Sequence, residues 1–118
     1  MSIAEATSLD LAVLVGDWRN TNSAGGIARI VCEDNGDGRL RVHTSSSARD
    51  WGTVFAPVYA FEFDSDKAGA FSAFYDLGFA DVRMQANVKQ GVLVVATFNA
   101  FNDDSGRSNY FNREFFYR

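Results

Sequence analysis

Leu14-Val15-Gly16-Asp17-Trp18-Arg19-Asn20 decides the fold of this chain, because a glycine, one spacer and a tryptophan stand where a short apolar segment gives way to a first strand. Before it, Leu9, Ala12, Val13 and Leu14 fall at helical spacing, with Ser8 as cap and Gly16 as stop, which predicts a short N-terminal helical turn. After it, Trp18, Asn20 and Asn22 alternate with period two, as strand residues do.

The rest of the chain repeats that strand pattern between turn signals. Ser23-Ala24-Gly25-Gly26 turns into Ile27 to Cys32, and Asn35-Gly36-Asp37-Gly38 supplies the positive φ angles of a tight hairpin before Leu40 to Thr44. The next strand follows Trp51-Gly52 and carries Pro57, which removes a ladder donor and belongs at a bulge, an edge or a strand start. Alternation then resumes with Tyr59, Phe61 and Phe63 on one face. Ala70 to Tyr75 runs back. From Ala80 to Lys89 small and apolar residues alternate strictly with polar ones, so one face is wet. Gln90-Gly91 leads into Val92 to Phe101, and Arg107 to Arg118 forms the last strand. These runs predict an all-β fold, an eight-stranded antiparallel up-and-down β-barrel over 1–118, since sequential hairpins need no long return connection.

Composition narrows the function classes. Fifteen acidic residues against eleven basic ones give a net charge of −4, with no basic cluster, so no nucleic acid and no anionic membrane is expected as a partner. Seventeen aromatics (eleven Phe, four Tyr, two Trp) make the chain globular, and no apolar run approaches the roughly 20 residues of a membrane span. The single Cys32, in the apolar run Ile30-Val31-Cys32, reads as a buried, inert thiol. Met1 to Thr7 lacks the charge and apolar core of a secretory signal, which points to a cytoplasmic protein. His43 stands without further imidazole or thiol ligands, and Asp103-Asp104 lacks the spaced oxygens of a calcium loop, so neither a metal nor a cofactor is expected.

Gly16-Asp17-Trp18 on a first strand, followed by Asn20, resembles the opening of the calycins, the group of lipocalins, fatty-acid-binding proteins and avidins. The lipocalin likeness implies a structural seal in which Trp18 packs under an arginine of the last strand, Arg113 first and Arg118 as the second choice. The first hairpin is similar to avidins, which implies that Asn20 and Ser23 hold a ligand's polar head. Only Trp51 remains of the further tryptophans that avidins set around biotin, which argues against that ligand. Asp50-Trp51-Gly52, Gly78-Phe79-Ala80 and the stretch from Asp104 to Tyr110 also resemble a set of small bacterial proteins, a likeness that carries no function.

A dry barrel core would be built of Leu, Ile and Val, whereas Asn20, Asn22, Thr44, Tyr59, Tyr75, Thr97 and Asn99 lie within the predicted strands. Buried amides and hydroxyls need partners, and an apolar cavity with a few polar groups is the usual form of a small-molecule site. The expected function is therefore binding of a small, partly apolar ligand, with Asn20, Asn22, Ser23, Thr44, Tyr59, Tyr75, Thr97 and Asn99 as site residues. Two alternatives stay open. One is an isomerase or cyclase with Tyr, Asn or Glu114 handling a proton. The other is a lectin-like or homo-oligomer module with Phe115 to Tyr117 at its interface.

Overall fold

A computed structural model describes residues 9–118. Nine strands form one antiparallel sheet: β1 (Gly16–Asn20), β2 (Arg29–Asp34), β3 (Leu40–Ser45), β4 (Asp50–Ala56), β5 (Val58–Ala60), β6 (Ala68–Asp76), β7 (Ala80–Lys89), β8 (Val92–Phe101) and β9 (Tyr110–Tyr117). Their order across the sheet is β4-β3-β2-β1-β9-β8-β7-β6-β5. The two outermost strands are consecutive in the chain, so the sheet curls until its edges meet at Pro57, making a nearly closed barrel.

Pro57 explains why nine strands stand where eight were expected. Ala56 pairs with Leu40 of β3, whereas Val58 pairs with Phe71 of β6. Between them the proline has no N–H for either ladder, and only its carbonyl is used, accepting from Ser72 N at 3.3 Å. One predicted strand is thus cut into β4 and β5, each paired to a different neighbour. The expected continuation through Phe61 and Phe63 fails as well, because β5 ends at Ala60 and Phe63 is fully exposed.

The N-terminal helical turn is also corrected. Among the described residues there is no helix; Leu14 N and Val15 N both donate to Leu11 O, closing a single turn, and Ser8 lies outside the described residues. The segment is held instead by β-type bonds at Asp10, whose N–H donates to Asp66 O at 2.8 Å and whose carbonyl accepts from Ala68 N at 2.9 Å. Those bonds lay Leu11 and Leu14 across one end of the barrel as part of its core.

Trp18 completes that closed end. It is wholly buried, and its indole N–H donates to Leu14 O at 2.9 Å. The cation over its ring is Arg118, with the guanidinium carbon 4.4 Å from the ring centroid, and Arg118 also donates to Val15 O. Arg113 lies over Phe111 on the outer face, not over Trp18. Strand parity is the reason. Phe116 points inward and is fully buried, so even-numbered side chains of β9 face the interior and Arg113 cannot. Gly16 completes the arrangement: its φ is +153°, and a Cβ there would stand 2.8 Å from Arg118 Cδ, so glycine leaves the path along which the arginine crosses the tryptophan.

On β7, Ala80, Val82, Met84, Ala86 and Val88 are buried while Arg83, Gln85, Asn87 and Lys89 are exposed, as the alternation predicts. On the outside, Phe74, Arg83, Phe98 and Phe111 form a cross-strand row, with Arg83 over Phe74 and Phe98 against Phe111 at 5.1 Å. Replacing Trp18 by alanine removes the largest side chain of the closed end and should cost about 3–5 kcal/mol of stability. Chemical denaturation of Trp18→Ala checks this, and a loss under about 1 kcal/mol would mean that the closed end does not depend on the ring.

Candidate functional site

The ladders stack inward-facing residues into layers whose polarity rises away from Trp18. Val88, Leu93 and Phe116 share the deepest layer of β7–β9, and Ala86, Val95 and Glu114 the next. Above them come Met84, Thr97 and Asn112, then Val82, Asn99 and Tyr110, and finally Ala80 with Phe101. At that upper end a cavity of about 260 Å³ opens, lined by Trp51, Leu77, Phe79, Ala80, Val82, Phe101 and Tyr110, with Thr97, Asn99, Asn112, Glu114 and Arg49 as its polar members. Ala80 is part of the reason for the space, since its methyl group fills little of the lumen opposite Phe101.

Four connections build the mouth: 21–28, 46–49, 77–79 and 102–109. Aromatic residues flank three of them and stack on one another. Phe79 lies 6.4 Å from Phe101 at an interplanar angle of 29°, and Phe101 lies 6.0 Å from Tyr110 at 30°. Trp51 stands edge-on to Tyr75 at 5.5 Å. The 46–49 turn is tied by Ser46, whose backbone N–H donates to Arg49 O and whose hydroxyl accepts from Ala48 N and Arg49 N. This holds Arg49 at the rim, with its guanidinium carbon 5.4 Å from the centre of the Phe79 ring.

Glu114 anchors the opposite loop. Its carboxylate accepts from Asn20 Nδ2 at 3.0 Å, Gly26 N at 3.1 Å and Ile27 N at 3.3 Å. Asn20 Nδ2 also donates to Ile27 O at 2.7 Å, and Asn20 Oδ1 accepts from Asn22 N at 2.8 Å. This network stitches β1 to β9 where their ladder stops, the last backbone bond being Thr21 N to Phe115 O. Gly25 permits the close approach, because a Cβ there would collide with Glu114 Oε2 and Asn20 Nδ2.

The residues expected from the sequence fall in five places. Thr97 and Asn99 line the cavity, with Asn99 Nδ2 donating to Thr97 Oγ1 and to Tyr110 O. Asn20 stands behind it, one hydrogen bond away through Glu114. Asn22 and Ser23 lie in the exposed β1–β2 loop, Asn22 Oδ1 accepting from Ala24 N. Thr44 and Tyr75 are brought together, but in the core rather than in the cavity. The Tyr75 hydroxyl lies 2.9 Å from Val42 O, 3.0 Å from Thr44 Oγ1 and 3.2 Å from Gly52 O, so it donates to a carbonyl and is left with no bond for a ligand. Tyr59 is on the outer face, 3.2 Å from Ser72 Oγ.

Sequence reasoning missed Arg49, Trp51, Phe79, Phe101, Tyr110, Asn112 and the anchoring role of Glu114. A signal for the aromatics was present. In a meander every second turn lies at the same barrel end, so aromatics next to alternate turns must gather there. His43 is an outer-face residue, its Nε2 2.7 Å from Asp50 Oδ1 and its Nδ1 3.0 Å from Thr53 Oγ1. Among the described residues no group of three or more His, Cys, Asp or Glu side chains could hold a metal ion, and no helix is long and apolar enough to cross a membrane. In comparisons with known proteins, no family model, curated sequence or solved structure matches the chain.

Two outcomes follow from these bonds. Removing the Glu114 carboxylate takes the acceptor from two backbone N–H groups and leaves the Asn20 amide only its bond to Ile27 O, so Glu114→Ala should lose about 1–3 kcal/mol, with much of it recovered in Glu114→Gln. Thermal unfolding of both variants measures this. Burial pushes the Tyr75 phenol up to about 12. It also pushes the Cys32 thiol up to about 12, against a smaller opposing effect of the Arg118 charge. The unfolded chain releases those protons near roughly 10 and 8.5. Both groups therefore support the fold fully below pH 8.5, and that support is lost as pH rises toward 12, by about 1.4 kcal/mol per pH unit for each group above its unfolded pKa. Urea denaturation from pH 8 to 11 should show the decline, with a shallower slope in Tyr75→Phe.

Proposed function

We propose that this barrel is a calycin-like binding protein that takes one small, partly apolar molecule in the mouth formed by Trp51, Phe79, Phe101 and Tyr110. The cavity carries the reading: an apolar, aromatic wall with a few convergent polar groups is the usual form of a ligand site, and about 260 Å³ suits a ligand smaller than most drugs. The calycin likeness is supported by Gly16-x-Trp18 on β1, with a cation from the end of the chain lying over the tryptophan. A lone buried Cys32, with no disulfide in the fold, suits a reducing cytoplasm.

Thr97 and Asn99 orient the ligand from within the barrel. Asn112 adds a half-buried amide without a protein partner among the described residues. Glu114 is the one carboxylate among the described residues that line the cavity, and its three donors suit it to holding the 21–28 loop in place rather than to moving a proton.

A screen of small aromatic and acyl compounds by intrinsic tryptophan emission tests the proposal, because Trp51 lines the cavity while Trp18 is buried at the other end. Phe101→Ala should weaken any hit at least about tenfold, equivalent to 1.4 kcal/mol. Phe98→Ala, on the same strand but facing outward, should leave it unchanged. Equal weakening by both, or no hit at all, would overturn the reading.

A further inference from the structure

The rim of the cavity differs in charge from its depth, and the difference bears on what can enter. Two arginines stand at the mouth. Arg107 lies over Phe101 with its guanidinium carbon 4.1 Å from the ring centre, and over Phe79 at 5.6 Å, but it is already paired to Asp103 at 2.7 Å. Arg49 lies over Phe79 at 5.4 Å and has no carboxylate partner among the described residues. Its backbone is held at the rim by the Ser46 turn, and its guanidinium lies against Phe79 there. Deeper in the same cavity the one charged group is the Glu114 carboxylate.

We propose that the ligand of this mouth is a planar aromatic monoanion, held with its acid group at Arg49 on the rim and its ring inward against the Phe79–Phe101–Tyr110 stack. The inference rests on the binding reading above and adds the class and orientation of the ligand. Three features of the site carry it.

The Arg49 guanidinium lies against Phe79 without a carboxylate partner among the described residues, and a guanidinium's N–H groups match an acid's two oxygens in a forked pair. Phe79, Phe101 and Tyr110 follow one another with ring centroids 6.4 and 6.0 Å apart, a run of aromatic surface against which an aromatic ring packs favourably. Glu114 repels an acid from the depth while Arg49 attracts it to the rim, so the two charges set one orientation. In that orientation the inner edge of the ligand meets only Thr97, Asn99 and Asn112, which suit a neutral hydroxyl, amide or ring nitrogen. Arg107, over Phe101 at 4.1 Å, is paired to Asp103 and so does not compete for the acid.

The test uses two probes of one shape and different charge, 2-naphthoate and 2-naphthamide, titrated into the intact protein with Trp51 emission and calorimetry as readouts. The expected result is naphthoate binding at least tenfold tighter than naphthamide at low salt, with the preference shrinking as salt is raised. In Arg49→Gln the ratio of naphthoate to naphthamide affinity should fall to about one, and Arg49→Lys should restore part of the preference. Circular dichroism of the variants, whose change lies on an exposed turn, checks that they remain folded. Equal binding of the two probes by the unaltered protein would overturn the anion assignment and leave the binding reading standing. A preference that survives Arg49→Gln would overturn the role of Arg49. Failure of both probes to bind up to millimolar concentration would overturn this inference, and, if the wider compound screen also found nothing, the binding reading with it.

Discussion

Closure of the sheet is the constraint on which the rest of this structure depends. An open sheet exposes two rows of unpaired backbone groups, and curling into a nearly closed barrel brings those two edges together. Here the two edges are consecutive segments of chain, and one proline decides where they meet. Because Pro57 can serve neither ladder with an N–H, the chain leaves β3 at Ala56 and joins β6 at Val58. Every other strand pairs with its neighbour in sequence, apart from the β1–β9 contact that joins the two halves of the sheet.

That second contact is short, with a register of only Arg19 to Tyr117 and Asn20 to Phe116, and it is reinforced at each end by side chains. Below it, Trp18 donates to Leu14 O and lies under Arg118, which joins the start of β1 to the end of the chain. Above it, Glu114 binds Asn20 and the backbone of the 21–28 loop. The two ends of the barrel then differ in kind. One is filled by Leu11, Leu14 and Trp18, and the other is left open where small and polar inward residues replace large apolar ones. A cavity at the mouth is the consequence of that gradient, and the proposed ligand site follows from it.

Burial in this core also shows why a polar residue within a strand is a weak guide to a binding site. Thr44 and Tyr75 are both almost completely buried, yet the phenol lies within hydrogen-bond distance of the Thr44 hydroxyl and of two carbonyls, one of which takes its proton. Such a pair stabilises the packing and offers nothing to a ligand. Thr97 and Asn99 differ only in height, since they sit in layers that reach the mouth. Height in a barrel depends on register and shear, and neither is written in the local pattern of any one strand.

The all-β meander, the inward set of β7, the buried state of Cys32 and the special place of Gly16-x-Trp18 were legible along the chain. Each is local, resting on period-two alternation, turn chemistry or an apolar neighbourhood. The tertiary structure decided which arginine covers Trp18. β9 carries aromatics on both faces, Phe111 and Phe115 outside and Phe116 inside, so its parity could not be read until the pairing with β8 had set it. It also decided that Pro57 is a corner, that Tyr59 faces outward, and that Arg49, Trp51, Phe79, Phe101, Tyr110, Asn112 and Glu114 meet around one space. These residues lie far apart in the chain, and only the curvature of a closed sheet brings their loops to the same end.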